Sequence, residues 1–133
     1  MIAAVDTNIL LDILRPNPQF VDASLALLER LAITAQLTIC EIVYAELSAN
    51  FETQESLDAF LDDVSIRVDT MQPQVRFQAG QAWKRYRQAG GQRERILPDF
   101  LIGAHARYQT SSLLSRDRGF YQSYFPELRV LDH

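Results

Sequence analysis

Residues 1–14 have the sequence MIAAVDTNILLDIL, and their pattern indicates the fold class. Small and branched apolar residues run directly into Asp6, and the apolar residues after Asn8 recur at helical spacing. This pattern predicts a buried first strand, a sharp turn and a helix, with Asp6 at the carboxyl end of the strand. In open α/β sheets, ligands bind at that edge. The question for the rest of the sequence is which residues meet Asp6.

The composition is that of an ordinary globular protein. The 133 residues are 47% hydrophobic and 23% charged, and we expect residues 1–133 to form a single domain. No apolar run approaches the roughly 18 residues of a membrane helix, and the start of the chain lacks the basic segment of a signal peptide. The single cysteine, Cys40, rules out an internal disulfide framework and fits a reducing, cytoplasmic location. We expect Cys40 to be buried.

The net charge of −4 is unevenly distributed along the chain. Residues 1–69 hold twelve acidic and three basic side chains, whereas residues 70–133 hold five acidic and ten basic ones. Whole-chain acidity therefore does not argue against a nucleic-acid partner, since the basic half is suited to holding a phosphate chain. Two ordinarily solvated faces are the alternative explanation.

Apolar periodicity predicts alternating helices and strands along the rest of the chain. Further helices are predicted over residues 20–32, 41–51, 54–63, 73–88 and 99–108 and around residues 120–124, and further strands over residues 37–39, 65–69, 112–115 and 129–131. This alternation predicts an α/β/α sandwich with a mostly parallel sheet. In the helix over residues 41–51 we expect Ile42, Ala45 and Ala49 to face inward. Trp83 is expected in the core rather than as a base-stacking platform.

Four acidic residues lie where ordinary packing gives little reason for them. Asp6 and Asp117 each follow a buried strand, so both are expected at the same edge of the sheet. Asp99 lies in the first turn of its helix, which faces that edge, and Glu46 interrupts an apolar helix. Each has an ordinary alternative role: the aspartates as helix caps or N-terminal helix residues, and Glu46 as a surface residue. Convergence of all four on one edge is harder to explain by packing.

Converging carboxylates need a counter-charge. Two of them about 4 Å apart repel by about 4 kcal/mol at an effective dielectric constant near 20. A hard divalent cation removes this repulsion, and Mg²⁺ or Mn²⁺ prefers oxygen ligands. The two histidines, His105 and His133, show no zinc-binding spacing. We therefore expect an all-carboxylate metal site suited to activating water against a phosphodiester.

Four motifs carry a family resemblance: DTN at 6–8, YAEL at 44–47, PDFLIGAHA at 98–106 and SRDRGF at 115–120. Together they resemble the pattern of the PIN-domain family, and in particular the small bacterial VapC-type toxin ribonucleases. The resemblance covers nearly the full chain, with the acids in the order and approximate spacing of the family. A lone DTN would be weak support; the four motifs together are strong.

The resemblance implies a five-stranded parallel sheet, Mg²⁺- or Mn²⁺-dependent endoribonuclease activity, a homodimer, and neutralisation by a cognate antitoxin. By the same resemblance, the catalytic metal-binding acids would be Asp6, Glu46, Asp99 and Asp117. Asn8 and Ser115 would be polar neighbours that orient them. Ser115 stands where a threonine is common, which keeps the hydroxyl and loses a methyl group.

Four arginines are candidates for contacts with RNA phosphates because they lie close in sequence to Asp99 or Asp117: Arg93, Arg95, Arg116 and Arg118. Solvated loop charge is an equally good explanation. A dimer or antitoxin groove formed by Tyr44, Phe51, Leu57 and Phe60 is a further hypothesis, with core packing as its alternative. The RNA target itself is not readable from the sequence.

Three other classes of protein remain open at this stage. A haloacid-dehalogenase-like phosphatase also begins with an aspartate after its first strand, but it needs a second aspartate where this chain has Asn8. That phosphatase and a receiver domain both need a lysine on or near a late strand, and the only lysine here, Lys84, lies inside a long helix. A non-catalytic RNA- or protein-binding module, in which the acids merely cap helices, is the third alternative.

Overall fold

A computed structural model of the chain describes residues 1–91 and 96–132. Within them, strands and helices alternate in the order β1 (Ile2–Val5), α1 (Thr7–Leu14), α2 (Val21–Thr34), β2 (Gln36–Ile39), α3 (Glu41–Ser48), α4 (Gln54–Asp63), β3 (Ile66–Val68), α5 (Pro73–Gln88), α6 (Leu97–Gln109), β4 (Ser112–Leu114), α7 (Arg118–Tyr124) and β5 (Val130–Leu131). The predicted elements are all present, with boundaries that differ by a few residues. Residues 92–95, which include Arg93 and Arg95, lie outside the described residues.

The sheet has five strands in the order β3-β2-β1-β4-β5, and every pairing in it is parallel. Consecutive residues are buried along β1, β2 and β4, so both faces of the central strands are covered. The predicted α/β fold with a parallel sheet is confirmed. The chain builds the sheet outward from β1 in one direction and then returns to build β4 and β5 on the other side. The switch point between β1 and β4 is where open α/β sheets place their ligands.

The register of β1 against β4 determines which residues emerge together at this switch point. Val5 pairs with Leu114, and the backbone N–H of Asp6 continues the ladder by donating to the Leu114 carbonyl at 2.9 Å. The next residue of each chain segment is therefore a polar one, Asp6 after β1 and Ser115 after β4. The two residues are 109 positions apart in sequence, and parallel pairing makes them neighbours.

Helix α6 packs against α5 and α7 through a cluster of aromatic rings and one glycine. Gly103 of α6 lies against the ring of Phe125, where an added Cβ would come within 2.4 Å of Cε2. Phe125 belongs to an aromatic cluster centred on Phe100, which is fully buried and contacts the rings of Tyr86, Phe120 and Tyr124. This packing fixes the N-terminal turn of α6, which carries Asp99.

The predicted inward face of α3 is wrong. Ala45 and Ala49 are exposed, Ile42 is half-buried, and the helix buries Val43 and Leu47 instead. Cys40 is buried as expected, and burial raises the pKa of its thiol to about 11. Trp83 packs against the core, as expected, but it is only half-buried. None of the helices in the described parts of the chain has the length and apolar character needed to cross a membrane.

Replacing Gly103 and Gly80, which both lie inside long helices, by alanine is expected to have opposite effects. Gly103→Ala should lower the free energy of unfolding by about 1–2 kcal/mol, because overpacking against Phe125 exceeds the gain of roughly 1 kcal/mol in helix propensity. Gly80→Ala in α5 meets nothing within 4 Å, so the same change should stabilise by up to about 1 kcal/mol. Urea unfolding of both variants measures the difference. Equal effects at the two sites would contradict the packing seen here.

Candidate active site at the switch point of the sheet

Asp6 is the centre of a hydrogen-bond network built from both sides of the switch point. Its Oδ1 accepts the backbone N–H of Thr7 at 2.8 Å, which caps α1. Its Oδ2 accepts the hydroxyl of Ser115 at 2.8 Å and that of Tyr121 at 3.0 Å. The Asn8 amide lies at 3.4 Å from the same oxygen. These donors are all neutral. The Asp6 carboxylate is therefore held by hydrogen bonds, and none of these donors neutralises its negative charge.

The hydroxyl of Ser115 has a determined direction. Its oxygen accepts the backbone N–H of Asp117 at 2.9 Å and faces the Asn8 amide at 3.4 Å. A serine hydroxyl has one proton and two acceptor positions, so the proton of Ser115 points to Asp6. Asn8 also accepts the backbone N–H of Arg116 at 3.3 Å. The turn after β1 and the turn after β4 are thereby joined, and both polar neighbours predicted from the sequence contact Asp6.

Burial dominates the electrostatics of Asp6. The side chain is 6% exposed, and desolvation raises its pKa from an ordinary value of 3.8 to about 6. The hydrogen bonds from Ser115, Tyr121 and Thr7 lower this pKa, and the charge of Asp99 raises it further. A buried carboxyl group beside a second carboxylate is typical of functional sites, because such burial destabilises the ionised form.

The other predicted acids reach this centre from three different elements. Asp99 lies in the first turn of α6, and Asp117 occupies the position before α7 without capping that helix through its side chain. Burial raises the pKa of Tyr121 well above its ordinary value, and the charges of Asp6, Asp99 and Asp117 raise it further. Three carboxylates therefore act on a single buried hydroxyl. The predicted convergence of these acids agrees with this arrangement.

Glu46 joins the site through a residue that the sequence analysis did not assign. The glutamate is exposed on α3, and its Oε1 accepts the Thr7 hydroxyl at 2.7 Å. Thr7 thus donates its backbone N–H to Asp6 and its side-chain hydroxyl to Glu46. This pair of bonds links α3 to the start of α1 at the same edge of the sheet.

The carboxylates surround the site without forming a closed metal cage. Within residues 1–91 and 96–132, no three His, Cys, Asp or Glu side chains form a group positioned to hold a metal ion. His105 is buried, and its Nε2 lies 2.8 Å from the carboxylate of Asp69, away from the predicted ligands in sequence. The donor set around Asp6 consists of oxygen atoms, which suits a hard cation. The assignment of the four acids as metal ligands stays a prediction.

Tyr121, like Thr7, is a residue of the site that sequence reasoning missed. Periodicity counts a tyrosine in a short amphipathic helix as an apolar residue. Its hydroxyl is nevertheless the second O–H donor to Asp6. The available signal was the position of Tyr121 in the turn that follows Asp117, where a side chain from α7 can reach back to the sheet edge.

The arginines proposed as RNA contacts have different surroundings. The Arg116 guanidinium donates to both oxygens of Asp12, at 2.8 and 3.0 Å, and lies 3.9 Å from the centre of the Phe20 ring. Asp12 is 3% exposed and also accepts the Ser24 hydroxyl at 2.7 Å. This buried ion pair attaches the turn after β4 to α1 and α2. The RNA contact of Arg116 stays a prediction. Such a contact would require the guanidinium to bind a phosphate in addition to Asp12 or in its place.

Arg118 is exposed at the start of α7 and donates to the Val130 carbonyl at 3.2 Å. Its proposed phosphate contact also stays a prediction. Arg93 and Arg95 lie outside the described residues.

Known proteins share both the sequence pattern and the fold of this chain. The sequence profile of the PIN domain matches residues 3–126. Similar solved structures are VapBC2 from Rickettsia felis bound to a promoter DNA fragment (TM-score 0.76, 24% identity, 99% of this chain and 98% of that chain), VapBC-1 from nontypeable Haemophilus influenzae (0.73, 20%, 99% and 98%) and a toxin–antitoxin complex from Klebsiella pneumoniae (0.69, 19%, 97% and 95%). At these identities the structures show a shared fold. A comparison with curated protein sequences found no match.

Removing the charge of Asp6 is expected to stabilise the protein at neutral pH. Because its pKa rises from 3.8 to about 6 on folding, the folded state favours the protonated carboxyl. That stabilisation is complete below pH 3.8 and is lost as the pH rises through about 6, at a cost on the order of 3 kcal/mol. In EDTA, the Asp6→Asn variant should therefore gain stability over the wild type as the pH increases from 4 to 8.

Urea unfolding across this pH range measures the effect, and Asp22→Asn on the exposed face of α2 is the matched control. A difference between Asp6→Asn and wild type that stays constant with pH would contradict the assigned cause.

Removing only the Tyr121 hydroxyl is expected to raise the pKa of Asp6. The Tyr121→Phe variant keeps the ring and loses one donor to the carboxylate, which corresponds to a rise of about one pH unit. Carbon-detected NMR titration of the Asp6 carboxyl group measures it directly. Tyr124→Phe, in the same helix and aromatic cluster, should leave that titration unchanged. An unaltered Asp6 titration in a folded Tyr121→Phe variant would show that the hydroxyl does not support the anion.

Proposed function

We propose that this chain, which belongs to the PIN-domain family, is a metal-dependent endoribonuclease and the VapC-type toxin of a toxin–antitoxin pair. The observation that carries the proposal is the buried Asp6 carboxylate at the switch point, with a pKa of about 6 and the charge of a second carboxylate acting on it. Membership of the family removes support from the phosphatase and receiver-domain alternatives. The cytoplasmic location predicted from the sequence belongs to the same proposal.

Mg²⁺ or Mn²⁺ is the cofactor that we propose, held by Asp6, Asp99, Asp117 and Glu46. The ion would supply positive charge to the buried carboxylates and Lewis acidity for the hydrolysis of a phosphodiester bond. Oxygen donors fit such an ion better than zinc, which favours nitrogen and sulfur ligands. The raised pKa of Asp6 supports this assignment, since a cation at the site would stabilise the ionised form.

The residues around Asp6 would act by keeping it ionised and oriented. A carboxylate has about four acceptor positions, and Oδ2 receives the hydroxyls of Ser115 and Tyr121 while Oδ1 receives one backbone N–H. These three bonds leave one acceptor position of Oδ1, which would be available to the ion. Orientation of this kind raises reactivity because no reorganisation is needed during the reaction.

Glu46 is proposed as the residue that positions the attacking water and accepts its proton. Its Oε1 is occupied by the Thr7 hydroxyl at 2.7 Å, so Oε2 would be the accepting atom. The exposed position of Glu46 on α3 gives it access to water and to a substrate that lies across the sheet edge. Proton transfer would then depend on a carboxylate that Thr7 orients through its other oxygen.

The proposed protein partners are a cognate antitoxin and a second copy of the chain. The similar structures from Rickettsia felis and Haemophilus influenzae are VapBC assemblies, and the one from Klebsiella pneumoniae is a toxin–antitoxin complex. Here, a groove of about 390 Å³ between α3 and α4 is lined by Tyr44, Phe51 and Leu57 among others. These are three of the four residues named from the sequence for partner binding, since Phe60 is not among the lining residues. Polar residues complete the lining, namely Ser48, Glu52, Thr53 and Gln54, and an amphipathic segment of the antitoxin fits this mixed chemistry.

One observation favours the alternative of a non-catalytic binding module. Asp6 does cap α1 through its bond to the Thr7 N–H, as that alternative expects. A cap, however, needs neither burial of the carboxylate nor two further hydroxyl donors. Capping positions are normally exposed to solvent, where the charge costs little.

RNA cleavage tests the proposal directly. Wild-type protein is expected to cleave a labelled single-stranded RNA of mixed sequence with Mg²⁺ or Mn²⁺, to stop in EDTA, and to recover when the ion is restored. Asp6→Asn should lower the rate by at least about 100-fold, equivalent to the loss of about 2.7 kcal/mol of transition-state stabilisation, while Asp22→Asn should not. Undiminished cleavage by folded Asp6→Asn protein would refute the proposed mechanism.

Metal binding is measured separately by thermal unfolding with and without Mn²⁺. Stabilisation of the wild type and its absence in Asp6→Asn are expected. If Mn²⁺ stabilises neither protein, the non-catalytic module is the better description.

A further inference from the structure

We propose that a basic, aromatic-lined groove on α5, separate from the carboxylate site, binds a single-stranded segment of the RNA. This inference rests on the proposed function for the nature of the ligand. The groove has a volume of about 660 Å³ and runs along α5 to the first residue of α6. Sites for molecules of nucleotide size occupy roughly 300–1,000 Å³.

The charge of the groove is of one sign. Among its lining residues are Arg76, Lys84 and Arg87, and no acidic side chain lines it in the described parts of the chain. All three cationic side chains are exposed. The net charge of the whole chain is −4, so this positively charged groove is opposite in sign to the protein as a whole. A phosphate backbone is the polyanion that such a groove complements.

Aromatic and apolar side chains lie between the charges. Phe77 is 64% exposed, an unusual position for a phenylalanine, and Trp83 is half-buried with the Arg87 guanidinium 4.9 Å from its ring centre. Proteins that bind single-stranded nucleic acid combine a cationic groove with aromatic rings on which bases stack. An Arg–Trp pair provides a planar, cationic surface of the same kind. Trp83, expected from the sequence to be core, therefore serves the core on one side and the groove on the other.

A second copy of the chain fits the groove less well. Two-fold symmetric dimers place the same patch of each copy against itself, which would oppose three cations to three cations. Close juxtaposition of like charges is unfavourable at an interface. A polyanion removes this repulsion, so RNA is the occupant that the charges favour.

The groove ends at the helix terminus that carries Asp99. Leu97 lines the groove and Asp99 lies two residues further along α6. Two helical residues advance only about 3 Å along the helix axis but turn by about 200°, so the two side chains leave the same end of α6 on nearly opposite sides. A single RNA strand held in the groove would have to pass around the start of α6 to reach the carboxylates. The groove would supply affinity that does not depend on the carboxylates.

Gly80 offers a test that does not disturb the fold. It lines the groove, and a Cβ added there meets nothing within 4 Å. Gly80→Glu places a negative charge in the groove, whereas Gly80→Gln adds nearly the same volume without charge. Lys84→Ala combined with Arg87→Ala removes two cations, and Arg30→Ala removes one exposed cation from α2 as the control.

Binding is measured by fluorescence anisotropy with a labelled 12-nucleotide single-stranded RNA in an Asp6→Asn background, which prevents cleavage. Gly80→Glu and the double alanine variant should each raise Kd by at least about fivefold, the loss expected when a phosphate or stacking contact is removed. The double variant should also reduce the slope of log Kd against log salt by roughly 1.4. Gly80→Gln should weaken binding less than Gly80→Glu, and Arg30→Ala should not change Kd.

Cleavage by the same groove variants with Asp6 intact separates this inference from the proposed function. A raised KM with kcat retained supports a groove that binds substrate away from the reacting atoms. If no variant of the chain cleaves RNA but the groove variants still weaken binding, the nuclease proposal fails and the groove stands. If Kd is unchanged in every groove variant, the inference is wrong. Unchanged Kd together with an altered sedimentation coefficient of Gly80→Glu would identify the groove as a contact between copies.

Discussion

The structure depends on one unfavourable element, the buried carboxylate of Asp6 at the meeting point of β1 and β4. Desolvation raises its pKa to about 6, and the hydroxyl and amide groups of Ser115, Tyr121 and Thr7 that donate to it are neutral. Each donor comes from a different part of the chain: Thr7 from α1, Ser115 from the end of β4 and Tyr121 from α7. The positions of these elements are therefore coupled to a single side chain. Strain of this type is commonly retained where a site needs pre-organisation.

The surrounding packing is arranged to support that network. The bidentate pair of Arg116 with Asp12 holds the turn that carries Ser115 and Asp117 against α1. The aromatic cluster around Phe100, with Gly103 in contact with Phe125, fixes the helix that presents Asp99. Both features are structural, and both place an acid predicted to bind metal. Stability elsewhere in the fold thus compensates for a site that lowers stability.

The distribution of charge gives the two halves of the chain different tasks. The acidic half contributes Asp6 and Glu46 and the groove between α3 and α4. The basic half contributes Asp99, Asp117 and the cationic face of α5. In the proposed function, a negatively charged substrate would be attracted to the cationic face of α5. It would react at the carboxylates only with a cation present. The proposed groove would thus add affinity for RNA without placing its own cations beside the carboxylates, where they would compete with a metal ion.

The order of elements, the parallel sheet and the positions of Asp6 and Asp117 after buried strands could all be predicted from the sequence. These features depend on local periodicity and on strand ends, which are readable from neighbouring residues. The inward face of α3 was predicted wrongly, because an alanine near Glu46 is apolar but small enough to remain exposed at little cost. The hydrogen bonds of Ser115 and Tyr121 to Asp6, the bond of Thr7 to Glu46 and the pairing of Arg116 with Asp12 depend on the tertiary structure. They join residues 39 to 115 positions apart, and strand register and helix packing, not local sequence, place their atoms within hydrogen-bond distance.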